Sequence, residues 1–78
     1  MLKKNQVLRW RLRLSIKFNR LISQKEFAEI VKVSKFTVAK WESENFKEEP
    51  NIDSCRKVVT GLRPHFPDIA IDDIMPPE

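Results

Sequence analysis

The chain is poor in the residues that break helices and in those that form disulfides. It has one glycine and one cysteine in 78 residues, and its five prolines all lie after Glu49. Residues 1–49 therefore lack the two strongest helix breakers, which favours helices there. The single cysteine, Cys55, excludes an internal disulfide and a zinc site made of cysteines, and it fits a reducing compartment.

The usual ingredients of catalytic and metal sites are also missing. The chain has one histidine, His65, no paired-cysteine motif and no glycine-rich phosphate loop. We therefore expect neither an enzyme nor a cofactor or metal site. Apolar runs are short, and the basic N-terminus is not followed by the apolar segment of a secretory signal. These absences predict a cytoplasmic protein that does not associate with membranes.

Acidic residues are absent from residues 1–25, which carry eight Lys or Arg. Residues 26–50 hold four basic and six acidic residues, and residues 51–78 hold three and five. The net charge of +4 therefore originates in the N-terminal third. A basic segment beside a mildly acidic one indicates a surface that faces a polyanion, while a solvated helix face is the simpler alternative.

Two serines mark the starts of two short helices. Ser23 is a good N-cap and Glu26 stands three residues later, which predicts a helix over residues 24–31. Ser34 is a second N-cap and predicts a helix over residues 35–43. The helical spacing places four side chains of this second helix on its solvent side: Lys35, Phe36, Lys40 and Ser43.

Only Lys32 and Val33 lie between the end of the first predicted helix and Ser34, the N-cap of the second. So short a connection forces the two helices to cross at a steep angle, which is a helix-turn-helix arrangement.

The first segment carries two conflicting patterns. Apolar residues alternate strictly with polar ones from Leu8 to Phe18, which is typical of a strand. The same segment also offers an apolar face at helical spacing, made of Val7, Trp10, Leu14, Phe18 and Leu21. A lone strand with no hairpin partner would leave both edges unpaired, so we favour a helix.

The C-terminal part predicts one further helix and a short last one. Asn51 caps a segment whose apolar face is Ile52, Cys55, Val59 and Leu62, and prolines beyond it end the helix. Residues 69–75 allow a short final helix. The length permits one domain, with a basic arm over residues 1–6, a folded domain over residues 7–75 and a tail over residues 76–78.

The central segment resembles the Cro/CI-type helix-turn-helix family, also called the XRE or lambda-repressor-like family. The resemblance is carried by ISQKEFAEIVKVSKFTVAKWE and, after a loop, by PNIDSCRKVVTGL. It implies an all-α fold of four to five helices around a central helix-turn-helix. It also implies a DNA-binding transcriptional regulator, such as a phage or bacterial repressor. A monomer of this size contacts only a few base pairs, so we expect a homodimer on a palindromic duplex, although no heptad or long apolar tail indicates the dimer interface.

Two further expectations come from this resemblance. Lys32 stands where the family usually has a glycine in a left-handed conformation, at a cost of about 1 kcal/mol. Glu42 stands where the family has an acidic partner for a basic residue of the first helix, and Lys17 is at the matching position.

The resemblance also assigns the DNA contacts. Lys35, Phe36 and Lys40 would meet base edges in the major groove, with the lysines donating to guanine and Phe36 contacting a thymine methyl. Phosphates would be held by a second set: Gln24, Ser34, Thr37, Asn45, Lys47, Lys3 and Lys4.

The alternative is a protein-binding module of the same fold, such as an antitoxin, antirepressor or inhibitor. It would dock on a protein partner through three apolar side chains, Ile30, Phe36 and Phe46. The acidic loop that contains Glu44, Glu48 and Glu49 favours this alternative, because acidic side chains repel phosphates.

Overall fold

A computed structural model describes residues 4–76 of the chain and contains five α-helices. They are α1 (Val7–Phe18), α2 (Gln24–Val31), α3 (Lys35–Glu42), α4 (Ile52–Leu62) and α5 (Ile71–Ile74). No strand occurs in this part of the chain. The predicted all-α fold of four to five helices is therefore confirmed, and the strand alternative for the first segment is wrong.

Helix α1 resolves the conflict between its two patterns. Its even-numbered apolar residues form two separate rows, because residues four apart lie on the same side of a helix. Trp10, Leu14 and Phe18 face the interior, with Trp10 8% and Leu14 0% exposed. The other row is exposed and consists of Leu8, Leu12 and Ile16. The strand-like alternation is thus the sum of two helical rows.

The predicted caps form as expected. The Ser23 hydroxyl accepts a hydrogen bond from the Glu26 amide at 3.1 Å, and the Ser34 hydroxyl accepts one from the Thr37 amide at 3.1 Å. Between α2 and α3, Lys32 has φ 63° and ψ 43°, which confirms the predicted left-handed conformation. This residue ends α2 and redirects the chain into α3.

Helix α4 packs against α2 at Gly61, which has a steric reason to be glycine. A Cβ atom at this position would lie 2.5 Å from the carbonyl oxygen of Ile30 and 2.9 Å from the Cα of Val31. Both atoms belong to backbone, which cannot move aside as a flexible side chain can. The only glycine of the chain therefore sets how closely these two helices approach each other.

The buried core draws residues from all five helices and from the connections between them. Two predicted core positions are wrong. Leu21 is 72% exposed and Ile22 takes its place in the core, while Ile52 is 60% exposed at the start of α4. Val58, which was not assigned to the predicted apolar face of α4, is fully buried. Leu21 lies beyond the last residue of α1 and Ile52 is the first residue of α4, so neither is enclosed by its own helix on both sides.

The predicted arm over residues 1–6 is too long, because Asn5 belongs to the folded unit and is 8% exposed. Its side-chain oxygen accepts a hydrogen bond from the Val7 amide, and its side-chain nitrogen donates to the Trp41 carbonyl at 3.0 Å and to Glu49 at 2.7 Å. Asn5 thereby joins the start of α1 to the end of α3 and to the loop that follows. Lys3 lies outside the described residues.

Candidate nucleic-acid interface

Helix α3 has one buried side and one exposed side. Val38 is 0% and Trp41 2% exposed, so this pair anchors the helix in the core. Lys35, Phe36 and Lys40 lie on the opposite, solvent-exposed side. Phe36 is 69% exposed and its ring centroid lies 5.3 Å from the Lys35 ammonium nitrogen. The three predicted base-contacting residues therefore share one accessible surface.

This surface continues into the first turn of α2. One shallow groove is lined by residues from both helices: Ser23, Gln24, Lys25, Lys35, Phe36 and Ala39. The first amide groups of a helix have no carbonyl partner within that helix, and the helix dipole makes this end partially positive. We call this surface the α2–α3 face. It combines three lysines (Lys25, Lys35 and Lys40), an exposed aromatic ring and a helix N-terminus.

Lys25 was missed by the sequence analysis as a member of this face. It is exposed and follows Gln24 in the first turn of α2. Its position next to the predicted phosphate contact Gln24 was a usable signal, because adjacent residues at a helix start lie close to the same ligand.

The C-terminal end of α3 is fixed by a buried ion pair. Arg11 and Glu42 form two hydrogen bonds of 2.9 Å, with side chains only 13% and 6% exposed. The same guanidinium donates to the Ile22 carbonyl at 2.8 Å, and Gln24 donates to Glu42 at 3.0 Å. Several donors thus satisfy one buried carboxylate, which is the condition under which a buried pair is stable.

The predicted partner of Glu42, Lys17, is therefore wrong. Lys17 is exposed, and its ammonium nitrogen lies 5.1 Å from the centroid of the Phe66 ring. Arg11 is six residues earlier, nearer the start of α1, and this is the part of the helix that faces the end of α3. A guanidinium also suits the role better, because it donates to both carboxylate oxygens at once.

The predicted phosphate contacts differ in how freely they can reach a ligand. Ser34 and Thr37 are joined at the start of α3 by a hydrogen bond of 2.9 Å between their hydroxyls. Gln24 is half-buried and already donates to Glu42, so its amide nitrogen faces the interior. Asn45 and Lys47 are exposed in the loop after α3. Along the chain, Ser34 and Thr37 therefore stand at the start of α3, and Asn45 and Lys47 follow its end.

The N-terminal contact Lys4 is exposed and precedes Asn5. Asn5 is hydrogen-bonded to Trp41, so Lys4 lies next to a residue that contacts the C-terminal end of α3.

Local surroundings shift the pKa values of three groups. Arg20 donates two hydrogen bonds to Glu26, and this pairing lowers the pKa of Glu26 and raises that of Arg20. Burial raises the pKa of the Cys55 thiol, because the thiolate would be poorly solvated among apolar side chains. None of the three side chains lines the groove between α2 and α3, although Glu26 lies in the first turn of α2.

Within residues 4–76, no group of three or more metal-ligating side chains comes together. No helix in the same range is both long enough and apolar enough to span a bilayer.

Comparisons of the chain with protein-family models, with curated proteins and with solved structures gave no match.

Proposed function

We propose that this protein binds double-stranded DNA in a sequence-specific manner through the α2–α3 face and acts as a transcriptional regulator. The observation that carries the proposal is that the outward side of α3 and the N-terminal turn of α2 line one groove. In this arrangement α3 enters the major groove and the start of α2 meets a phosphate.

The side chains of the face divide into two roles. Lys40 and Lys35 donate to guanine O6 or N7, and Phe36 makes apolar contact with a thymine methyl. Lys25, together with Lys47 from the loop after α3, neutralises phosphates, which are the same at every base step and therefore position the protein without selecting sequence. A domain this small contacts only a few base pairs, so we propose a homodimer on a palindromic site.

The experiment is a selection of binding duplexes from a random pool, followed by titration of the selected duplex at several salt concentrations. The logarithm of the binding constant should fall linearly with the logarithm of salt, because each neutralised phosphate releases counterions. The selected sequences should also show two half-sites in opposite orientation. Sequences without symmetry would remove the homodimer from the proposal.

Lys47→Ala should weaken binding to all duplexes similarly and reduce the salt slope by about one unit. The matched control is Lys57→Ala, which removes an exposed lysine from α4, away from the α2–α3 face. If the selection enriches no sequence and the chain does not bind DNA at moderate salt, the proposal is contradicted.

A second candidate function is the protein-binding module, favoured by the exposed rings of Phe36 and Phe46, which are 69% and 51% exposed. The third residue predicted for that surface, Ile30, is wrong because it packs partly against the core. This function would be favoured over the first if the parent chain binds a protein partner and no DNA, and if Phe36→Ala abolishes binding of that partner.

A further inference from the structure

Helix α1 carries a second apolar row that the core does not use. Leu8, Leu12 and Ile16 follow one another at intervals of four residues and are 41%, 44% and 80% exposed. Removing apolar side chains from water is favourable, so three partly or largely exposed in one row can contribute to binding a partner. We call this row the α1 stripe.

A basic row runs beside the α1 stripe along the same helix. Arg9, Arg13 and Lys17 each follow a member of the stripe by one residue, and all three are exposed. Arg13 lies over the Trp10 ring at 4.7 Å, and Lys17 over the Phe66 ring at 5.1 Å. These contacts hold two of the three charges against aromatic rings at the surface of the domain.

The charges of this row are not compensated by ion pairs. No ion pair within the described residues joins Arg9, Arg13 or Lys17 to a carboxylate, and α1 itself contains no acidic residue. Asp72 and Asp73 line a neighbouring groove with Arg9 and Arg13, but no salt bridge forms.

A groove adjoins the N-terminal end of the stripe. Leu8 and Leu12 border a groove of about 370 Å³ that extends to Trp41 and Glu42 at the end of α3. A groove of this volume admits an apolar side chain from a docked helix.

We propose that the α1 stripe and its basic row dock an acidic amphipathic helix of a protein partner. Apolar side chains of that helix would cover Leu8, Leu12 and Ile16, and carboxylates along one flank would pair with the basic row. A second copy of this chain is a poor occupant, because two α1 faces would bring two basic rows together with no α1 carboxylate between them. The surface is separate from the α2–α3 face and does not depend on DNA binding.

The test uses a synthetic helical peptide of about 18 residues, long enough to form a helix, with leucines on one face and glutamates on both flanks. A second peptide replaces every glutamate with lysine. Fluorescence anisotropy measures both against the full chain, and amide chemical shifts locate the binding site. The acidic peptide should bind at least about tenfold more tightly than the basic one and shift amides around Leu12 and Ile16.

Variants distinguish the stripe from other exposed apolar residues. Ile16→Gln should weaken binding of the acidic peptide by about tenfold, while Ile52→Gln, an equivalent change on α4, should leave it unchanged. Arg9→Gln should weaken binding severalfold and reduce its salt dependence, with Lys57→Gln as the charge control. Ile16 is 80% exposed, so its substitution should not alter the thermal melt.

Four outcomes would overturn the proposal. The first is that the two peptides bind equally or not at all. The second is that Ile52→Gln weakens binding as much as Ile16→Gln does. The remaining two concern other occupants of the stripe. The chain would sediment as a dimer that Ile16→Gln converts to a monomer, which would make a second copy the occupant. Vesicles of phosphatidylglycerol would bind the α1 stripe while the acidic peptide does not, which would make it a membrane-surface site.

Discussion

The two ends of helix α3 are held in opposite ways. At the C-terminal end, Trp41 is 2% exposed, its carbonyl accepts a hydrogen bond from Asn5, and Glu42 is paired with Arg11. At the N-terminal end, Phe36 projects into solvent and the start of the helix is secured by the Ser34 cap.

Stability depends on the buried side chains at the C-terminal end of α3, whereas the proposed DNA contacts depend on exposed side chains of the same helix. Substitutions at the C-terminal end should unfold the domain, because they leave buried charges and polar groups without partners. Substitutions of the exposed side chains near the other end should leave the fold intact, because those side chains make few contacts within the chain.

The largest effect is expected for Glu42→Ala at the fixed end. The variant leaves the Arg11 guanidinium largely buried without its carboxylate, and the free energy of unfolding should fall by about 3–5 kcal/mol. Urea denaturation measures the change, with Glu44→Ala as the control because Glu44 is exposed. A loss below about 1 kcal/mol would mean that the ion pair does not fix this end of α3.

Asn5→Ala should come next, at about 1–3 kcal/mol. It removes a side-chain donor to the Trp41 carbonyl and the acceptor for the Val7 amide, and buried groups without partners are costly. Asn45→Ala is the matched control in an exposed loop. Equal melting temperatures for the two variants would show that the N-terminal segment does not support α3.

Ser34→Ala should cost about 1 kcal/mol at the other end of the helix, because the Thr37 amide loses its cap acceptor. Ser34→Asp keeps an acceptor at the same place and should restore most of the stability. Thermal melts of the three proteins compare them directly. Equal melting of the alanine and aspartate variants would show that the cap contributes little.

The smallest effect, and one of opposite sign, is expected for Lys32→Gly in the turn before α3. Glycine adopts positive φ without steric strain, so the free energy of unfolding should rise by about 0.5–1 kcal/mol. Asn19→Gly is a useful control, because Asn19 also has positive φ, at 54°, but asparagine tolerates it better. Destabilisation by Lys32→Gly would contradict a strained turn.

Local contacts account for what could be predicted from the sequence. The caps at Ser23, Ser34 and Asn51 each bond to an amide three residues ahead, so a short window of sequence contains both partners. This is why the bounds of α2 agree with the structure and those of α3 differ by one residue. The left-handed conformation of Lys32, by contrast, was predicted from the family resemblance.

Contacts between distant residues account for what was missed. Asn5 bonds to Glu49, which is 44 residues away, and Arg11 pairs with Glu42, which is 31 residues away. Which basic residue of α1 meets Glu42 depends on how α1 crosses α3, and helical spacing alone does not fix that crossing. The alternation in α1 was ambiguous for a related reason: a pattern does not show how many faces of a helix are covered.

The central claim is that the exposed side of α3 selects DNA sequence, and one set of affinities tests it most directly. The parent chain, Phe36→Ala, Lys40→Ala and the control Lys57→Ala are titrated with the selected duplex and with each of its single-base variants. Phe36→Ala and Lys40→Ala should each lose about 1–3 kcal/mol on the selected duplex and relax the preference at one base position, with unchanged thermal stability and unchanged non-specific binding. Lys57→Ala should match the parent chain throughout. If Phe36→Ala and Lys40→Ala bind every duplex as the parent chain does, α3 does not select sequence and the claim is wrong.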